Sequence, residues 1–291
     1  MAGAGNIQDI KKRVKSITGI EHITNAMKLV SVAKLRRARS TLDSTRELFN
    51  FVTESIEDIF HNADEIPTKY LLTDKDVKPS SPCYVIITSN RGLAGSFNAN
   101  IIKQTEIEMR EAAGKASIVA VGGKGRDYFK RRGYEIVAEH IRPPENISFV
   151  DTHEITRPII ELYDEGKVDE VVVVYTSFKS TIEQRVTSVR LLPIDIEPDP
   201  EVSVVDKYVE YDPSAAAVFN YLVPKYAEMM IYQAIVESAT CEHAARHMAM
   251  DNATNNAQQM ISDLNLFYNR ARQDAITRQI IEVVSGAEAL E

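Results

Sequence analysis

Apolar and small residues recur at three- and four-residue spacing over two long stretches at opposite ends of the chain. In the first, Ile7, Ile10, Val14 and Ile17, and later Leu35, Ala38, Leu42, Thr45, Phe49, Val52, Ile56 and Ile59, hold one a/d heptad register. Between these two runs the register reads Glu21, Thr24, Lys28 and Ser31, while apolar Ile20, Ile23, Met27 and Val30 sit one position earlier. The apolar face therefore rotates locally, which predicts contacts beyond a helical partner. The second stretch, Lys225 to Ser285, lacks Gly and Pro and is dense in strong helix formers. At about 1.5 Å per residue it would form a helix roughly 90 Å long, too long for a core helix. Its seam is expected to run Met230, Ala234, Cys241, Ala244, Met248 and, after a register break near Asp251, Ala253, Ala257, Met260, Leu264, Phe267, Ala271. Small residues in the upstream half imply close approach of another long helix.

That partner is the first stretch, free of Gly and Pro from Ile20 to Ile66 and bounded by Gly19 and Pro67. Between the two, the pattern changes to short alternating elements. Cys83–Thr88, Ser117–Gly122, Tyr134–His140 and the valine-rich Glu170–Thr176 read as strands, with helices near Asn98–Ala112, Gly125–Arg132 and Asp151–Glu165. Strand-helix alternation predicts a small parallel α/β sheet, and Thr181–Leu192 reads as an antiparallel edge strand. Asp212 as N-cap and Pro213 in the first turn mark the start of the last helix, with Pro224 placed to kink its opening turns. The expected fold is thus a long antiparallel coiled-coil shaft (1–66 and 212–291) with a small Rossmann-like α/β domain (67–211) inserted between its helices. If Phe60 lies beside Pro213, Ile7 lies near Leu266, and roughly the last 20 residues, about 30 Å of helix, have no partner in the chain. They carry Phe267, Ile276, Ile280, Ile281, Val283 and Val284, so an external apolar socket is expected.

With 291 residues, 44% of them hydrophobic, the chain can bury a substantial core, and no apolar run approaches the roughly 20 residues needed to span a bilayer. The N-terminus MAGAGNIQDIKKR lacks the apolar core of a signal peptide, so a cytosolic compartment is expected. Cys83 and Cys241 read as small buried hydrophobes rather than a disulfide or metal site. Charge changes the picture more. Between Lys11 and Arg39 nine basic residues face a single acid, Glu21, a local +8 in a chain of net charge −8. Without interleaved aromatics this favours an acidic protein partner over nucleic acid.

Two glycine-bearing turns lie where nucleotide folds hold phosphate: Ser89-Asn90-Arg91-Gly92-Leu93-Ala94-Gly95 and Gly122-Gly123-Lys124-Gly125. Neither has the spacing of GxGxxG or of a P-loop, and the helical pair His243 and His247 lacks the Glu of a zincin. No catalytic constellation stands out, and no cofactor or metal is expected. Two other readings stay open on these grounds, a nucleotide-binding α/β enzyme with helical arms and a plain coiled-coil scaffold.

Four segments carry a resemblance: Ile23-Thr24-Asn25-Ala26-Met27-Lys28-Leu29-Val30-Ser31-Val32-Ala33-Lys34-Leu35-Arg36, the loop Asn90 to Gly95, Tyr268-Asn269-Arg270-Ala271-Arg272-Gln273-Asp274-Ala275-Ile276-Thr277, and Glu282 to Ala287. Together they resemble the gamma subunit of F-type ATP synthase over essentially the whole chain. The resemblance implies a non-catalytic rotor shaft, present once per complex, that couples ion-driven rotation of a membrane c-ring to ATP synthesis or hydrolysis at catalytic beta subunits. It implies alpha, beta and epsilon subunits and the c-ring as partners, and a peripheral place on the cytoplasmic face of a bacterial cell membrane. By the family motifs, Met27, Lys34, Arg36, Arg246, Arg272, Gln273 and Thr277 would contact beta subunits. Asn90, Arg91, Gly92, Leu93, Gly95 and Tyr208 would form foot contacts to epsilon and the c-ring. Two positions depart from the family pattern: Asn90 stands where Asp is usual, and Asp274 replaces a small residue within i±4 reach of Arg270 and Arg278.

Overall fold

The computed structural model describes residues 2–62, 68–72, 79–112, 114–195 and 211–288. Helix α1 (Ala2–Asn62) and helix α5 (Ala215–Glu288) begin and end the chain. Between them lie β1 (Pro82–Ile87), α2 (Phe97–Glu111), β2 (Ser117–Val121), α3 (Gly123–Arg131), β3 (Glu135–His140), α4 (Phe149–Asp164), β4 (Glu170–Phe178) and β5 (Gln184–Leu192). The chain divides into two compact units, Met1–Val32 with Arg246–Glu291, and Ala33–Ala245.

In the second unit the five strands form one sheet in the order β3-β2-β1-β4-β5, parallel except for the antiparallel edge strand β5. The parallel α/β sheet and its antiparallel edge strand are therefore as the sequence pattern predicted. Strand β1 is buried along its whole length, which is why it reads as an unbroken apolar run. Its alternate residues serve opposite faces. Cys83, Val85 and Ile87 join Ile155 and Ile159 of α4 and Phe219, Val223, Ala227 and Ile231 of α5, while Tyr84 and Ile86 join Ile101 and Met109 of α2 and Phe129 of α3. Ile56 and Ile59 of α1 lie in the first cluster and Leu42 in the second. Helix α4 starts with a capping box, in which the Ser148 N–H donates to Asp151 Oδ2 at 2.9 Å and the Asp151 N–H faces Ser148 Oγ at 3.4 Å.

In the first unit α1 and α5 pair antiparallel through polar groups. Lys28 Nζ lies 2.9 Å from Asp251 Oδ1, Thr254 Oγ1 lies 2.8 Å from Thr24 Oγ1, and the Gln258 amide donates to Glu21 at 3.2 Å. Thr24 passes its own proton to the Glu21 carbonyl at 3.0 Å, leaving a lone pair for the Thr254 hydroxyl. The heptad register of α1 holds throughout: Glu21, Thr24, Lys28 and Ser31 are buried or half-buried, and Ile20, Ile23 and Val30 face solvent.

Several expectations need correction. Gly19 does not bound helix α1, which runs from Ala2 through it, as the heptad from Ile7 implies; nothing lies within 4 Å of a would-be side chain there and one glycine costs only about 1 kcal/mol. Helix α5 is capped by Ser214, whose Oγ accepts from the Ala217 N–H at 3.2 Å, rather than by Asp212. Pro224 lies inside it. The seam of α5 passes through Met250, Thr254, Ala257, Ile261, Leu264, Tyr268, Ala271 and Ala275, while Met260 is 53% and Phe267 57% exposed. Met248 is likewise off the seam. Extending the observed pairings sets Ile7 level with Arg272 rather than Leu266, so the stretch without a partner shortens to the exposed residues from Ile276 to Gly286.

One turn of the sheet tolerates no side chain. At Gly122 φ is +100°, and a Cβ would stand 2.0 Å from the Thr88 carbonyl oxygen. Gly122→Ala should lower unfolding free energy by about 2–4 kcal/mol in urea denaturation, whereas Gly92→Ala, with open space around it, should change it by less than about 0.5 kcal/mol. Equal effects of the two substitutions would refute the steric assignment.

Candidate functional site

The first candidate surface is the loop after β1, and its shape follows from side chains that fold back on the backbone. Asn98 Oδ1 accepts the Ser89 N–H at 2.9 Å, and the Ser89 hydroxyl donates to the Arg91 carbonyl at 2.6 Å. Asn90 uses both ends of its amide: Oδ1 accepts the Gly123 N–H at 2.7 Å and Nδ2 donates to the Ile141 carbonyl at 2.6 Å. A carboxylate could make only the first of these bonds, which gives a physical reason for Asn in place of the usual Asp.

These anchors leave Arg91, Gly92, Leu93 and Gly95 exposed. Leu93 is 62% exposed and holds φ +62°, the left-handed region a bulky residue seldom enters. Packing within the chain does not account for an exposed leucine held in strained backbone. Of the six residues assigned to the foot by resemblance, Asn90 is engaged inside the chain, four are presented to solvent, and Tyr208 lies outside the described residues.

The same bonds bear on the phosphate reading. The N–H groups that open α3 are occupied by the chain itself: Gly123 by Asn90 Oδ1, Lys124 by the Ser89 carbonyl at 3.0 Å and Gly125 by Thr88 Oγ1 at 2.9 Å. A helix N-terminus binds phosphate through such N–H groups, and here they have partners.

The second candidate surface is helical. In the first unit, Met27 and Arg246 are half-buried, and Arg272, Gln273 and Thr277 are exposed near the end of α5. The Thr277 hydroxyl donates to the Gln273 backbone carbonyl at 2.9 Å, and the Gln273 side chain is exposed. In the second unit, Arg36 is exposed, whereas Lys34 is held 2.8 Å from Glu145. Sequence reasoning missed Glu145, because the pairing spans a separation that no local pattern encodes. It also missed Leu29 and Val32, which are exposed apolar residues on the same turns but lie on a different side of the helix from Ile20, Ile23 and Val30. Asp274 forms no ion pair with Arg270 or Arg278 among the described residues.

Electrostatics tie the polar seam to pH. The hydrogen bond from Lys28, then its charge, holds the Asp251 carboxyl below its ordinary value of 3.8. Burial raises Glu145, but the hydrogen bond and charge of Lys34 outweigh it and leave the carboxyl below its usual range. Burial pushes the Cys83 thiol up to about 11 and Cys241 also upward, so neither is a ready nucleophile.

A family model described as ATP synthase matches residues 6–290. The chain is 45% identical over 289 residues to the ATP synthase gamma chain of Alkaliphilus metalliredigens, covering 98% of this chain and 99% of the relative. It is 42% identical over 286 residues to the ATP synthase gamma chain of Moorella thermoacetica, covering 98% and 99%. Among solved structures, a chain of the Euglena gracilis mitochondrial ATP synthase shares the fold at a TM-score of 0.70 and 19% identity, over 99% of this chain and 95% of that one. A chain of the Tetrahymena thermophila mitochondrial ATP synthase central stalk and c-ring superposes at 0.60 with 25% identity, over 79% and 99%.

Two outcomes follow from this geometry. Asn90→Asp should cost about 1–3 kcal/mol in urea denaturation, because the Ile141 carbonyl loses its donor and faces a carboxylate; a change below 0.5 kcal/mol would remove the amide from the account. For Asp251 the folded pKa is depressed, so its contribution is present above pH 3.8 and lost as pH falls through the lower folded value. Titration of its carboxyl carbon by NMR should return toward 3.8 in Lys28→Met, and an unmoved titration would disprove the coupling.

Proposed function

The chain belongs to the ATP synthase gamma-chain family and is the central-stalk rotor subunit of the F1 complex; from this premise we propose how its surfaces divide that work. Residues 1–66 and 212–291 act as the shaft, turning within a ring of alpha and beta subunits, and 67–211 as the foot on epsilon and the c-ring. The observation that carries the shaft assignment is the end of α5, where Ile276, Ile280, Ile281, Val283 and Val284 are all exposed. Apolar residues at this density on a helix end favour an apolar sleeve supplied by neighbouring subunits. Arg272 and the Gln273 amide, at the base of that segment, are the polar contacts to a beta loop.

Lower on the shaft, Met27, Lys34, Arg36 and Arg246 meet the acidic lever segments of beta subunits. The exposed cations Lys11, Lys12, Arg13, Lys15, Arg36, Arg37 and Arg39 give the attraction its sign. An asymmetric shaft makes different contacts with each of three otherwise equivalent beta subunits. That difference is a coupling free energy between rotor angle and nucleotide affinity, and it is reciprocal, so the same contacts serve synthesis and hydrolysis. On this reading the chain is not itself catalytic. No helix among the described residues is long and apolar enough to cross a membrane, and we place the subunit peripherally, at the cytoplasmic face of the bacterial inner membrane, held there through the c-ring.

Paired variants of the assembled enzyme test the division. Arg272→Ala with Gln273→Ala should leave the helix content and melting of the isolated chain unchanged while reducing ATP-driven ion pumping, each lost hydrogen bond being worth about 0.5–1.5 kcal/mol or up to about tenfold in an equilibrium. Arg91→Ala with Leu93→Gly, which relieves the strained backbone, should weaken attachment to epsilon and the c-ring and leave ATPase of the alpha-beta-gamma core intact. Loss of core ATPase in the second variant to the same degree as in the first would overturn the assignment.

A further inference from the structure

Within the unit Ala33–Ala245 a cleft of about 290 Å³ opens among three short stretches: Lys34, Arg37, Ala38 and Thr41 of α1, Pro144 to Ile147 before α4, and Tyr232, Val236, Ala239 and His243 of α5. The two helical sets each form one stripe, at three- and four-residue steps. Ala38 and Ala239 contribute only methyl groups, which is why space remains, and Val236, Ala239 and Ile147 give the cleft a buried apolar base.

The polar lining is unequal in sign. Lys34 and Arg37 stand against one carboxylate, Glu145, and that carboxylate is already bound to Lys34 at 2.8 Å. Among the described residues Arg37 makes no ion pair, and its guanidinium sits one helical turn from Lys34. Asn146 and Tyr232 add neutral hydrogen-bond donors, the Thr41 hydroxyl donates to the Arg37 carbonyl at 3.3 Å, and His243 is buried in the wall. The positive surroundings are also felt by Glu145, whose carboxyl Lys34 and His243 both draw downward against the cost of burial.

We propose that this cleft is a binding site for a small oxyanion of the inorganic phosphate class. Arg37 would grip two of its oxygens with a planar fork, and Asn146 and Tyr232 would complete the shell. Its volume, near the roughly 300 Å³ at which small-molecule sites begin, leaves ample room for a phosphate-sized group, so the charge of the lining rather than its size selects the ligand class. The anion competes with Glu145 for Lys34, and occupancy exchanges an internal ion pair for a ligand-bridged one between α1 and the Pro144–Asn146 turn. Lys34 and Arg37 also figure in the rotor assignment, but that assignment requires no such ligand, and phosphate binding by the isolated chain is read without other subunits present.

The test uses the purified full chain, away from the nucleotide sites of other subunits, with inorganic phosphate as the probe. Amide NMR should show saturable shifts at Asn146, Tyr232 and Ala239 with a millimolar or tighter Kd. Binding should weaken at least tenfold in Arg37→Gln and in Ala38→Leu, which fills the space, and persist in Arg39→Gln, with thermal melts confirming that each variant is folded. Chloride at matched ionic strength should give none of these shifts. Shifts that chloride reproduces, that fail to saturate, or that survive Arg37→Gln would overturn the site.

Discussion

The first unit depends on how its two long helices approach each other between Glu21 and Ser31, where so little apolar bulk lies between them. The α1 face offers Glu21, Thr24, Lys28 and Ser31, and α5 answers with Asp251, Thr254, Ala257 and Gln258. Burying small and polar groups gains little at about 25 cal/mol per Å² of apolar area. What the pairing gains instead is register, since a hydrogen bond or ion pair in a seam is satisfied at one axial offset and broken at the next. The large apolar side chains of the same helices, Ile20, Ile23, Val30, Met260 and Phe267, are left on the outside. A monomeric helix pair would place them the other way round.

The second unit shows the opposite economy. Strands β1 and β4 are apolar on both faces and feed two cores, one shared with α4 and α5 and the other with α2 and α3. Its loops stand where an open α/β sheet binds ligands, beyond the carboxyl ends of the strands. Thr88, Ser89 and Asn90 fill that crevice with the chain's own acceptors and bind the first three N–H groups of α3. The Rossmann-like frame is kept for its rigidity, and the loop it supports turns Arg91 and Leu93 outward.

How much of this was legible in sequence follows from what each pattern measures. Apolar runs such as Tyr84–Ile87 and Val171–Val174 marked the strands because those residues are buried by their own chain. The heptad phase of α1 could be read through its polar break because Ile7 to Ile17 and Leu35 to Ile59 flank it in one register. The phase of α5 beyond Asp251 was misread by following Met260 and Phe267, the largest apolar residues, whereas the seam selects Thr254, Ala257 and Ile261. Periodicity reports which side chains are apolar and cannot tell whether their cover lies inside the chain or beyond it. At the candidate sites, the motifs named Arg91, Leu93, Arg272 and Gln273, which are exposed. The bonds from Asn90 to Ile141 and from Lys34 to Glu145 depend on tertiary approach over long sequence separations and left no local trace.

The polar seam and the exposed stripe of α1 are best understood as one device. Ile20, Ile23, Met27 and Val30 each precede a seam residue by one position, so the stripe lies about 100° around the helix from the pairing face. If α1 slipped by one residue against α5 while keeping contact, it would have to turn by that same angle, and the stripe would move to a different azimuth. An apolar seam would tolerate such slips at modest cost, because one aliphatic contact replaces another. The Lys28–Asp251 pair does not, since a slip leaves its charges without partners, and the Thr24–Thr254 bond is lost as well, although both hydroxyls keep acceptors in their own helices. In a rotor the direction in which a surface points is the signal passed to the surrounding subunits. Register specificity inside the shaft therefore fixes that direction, and it explains why polar residues occupy the seam at the level where the outward face is most apolar.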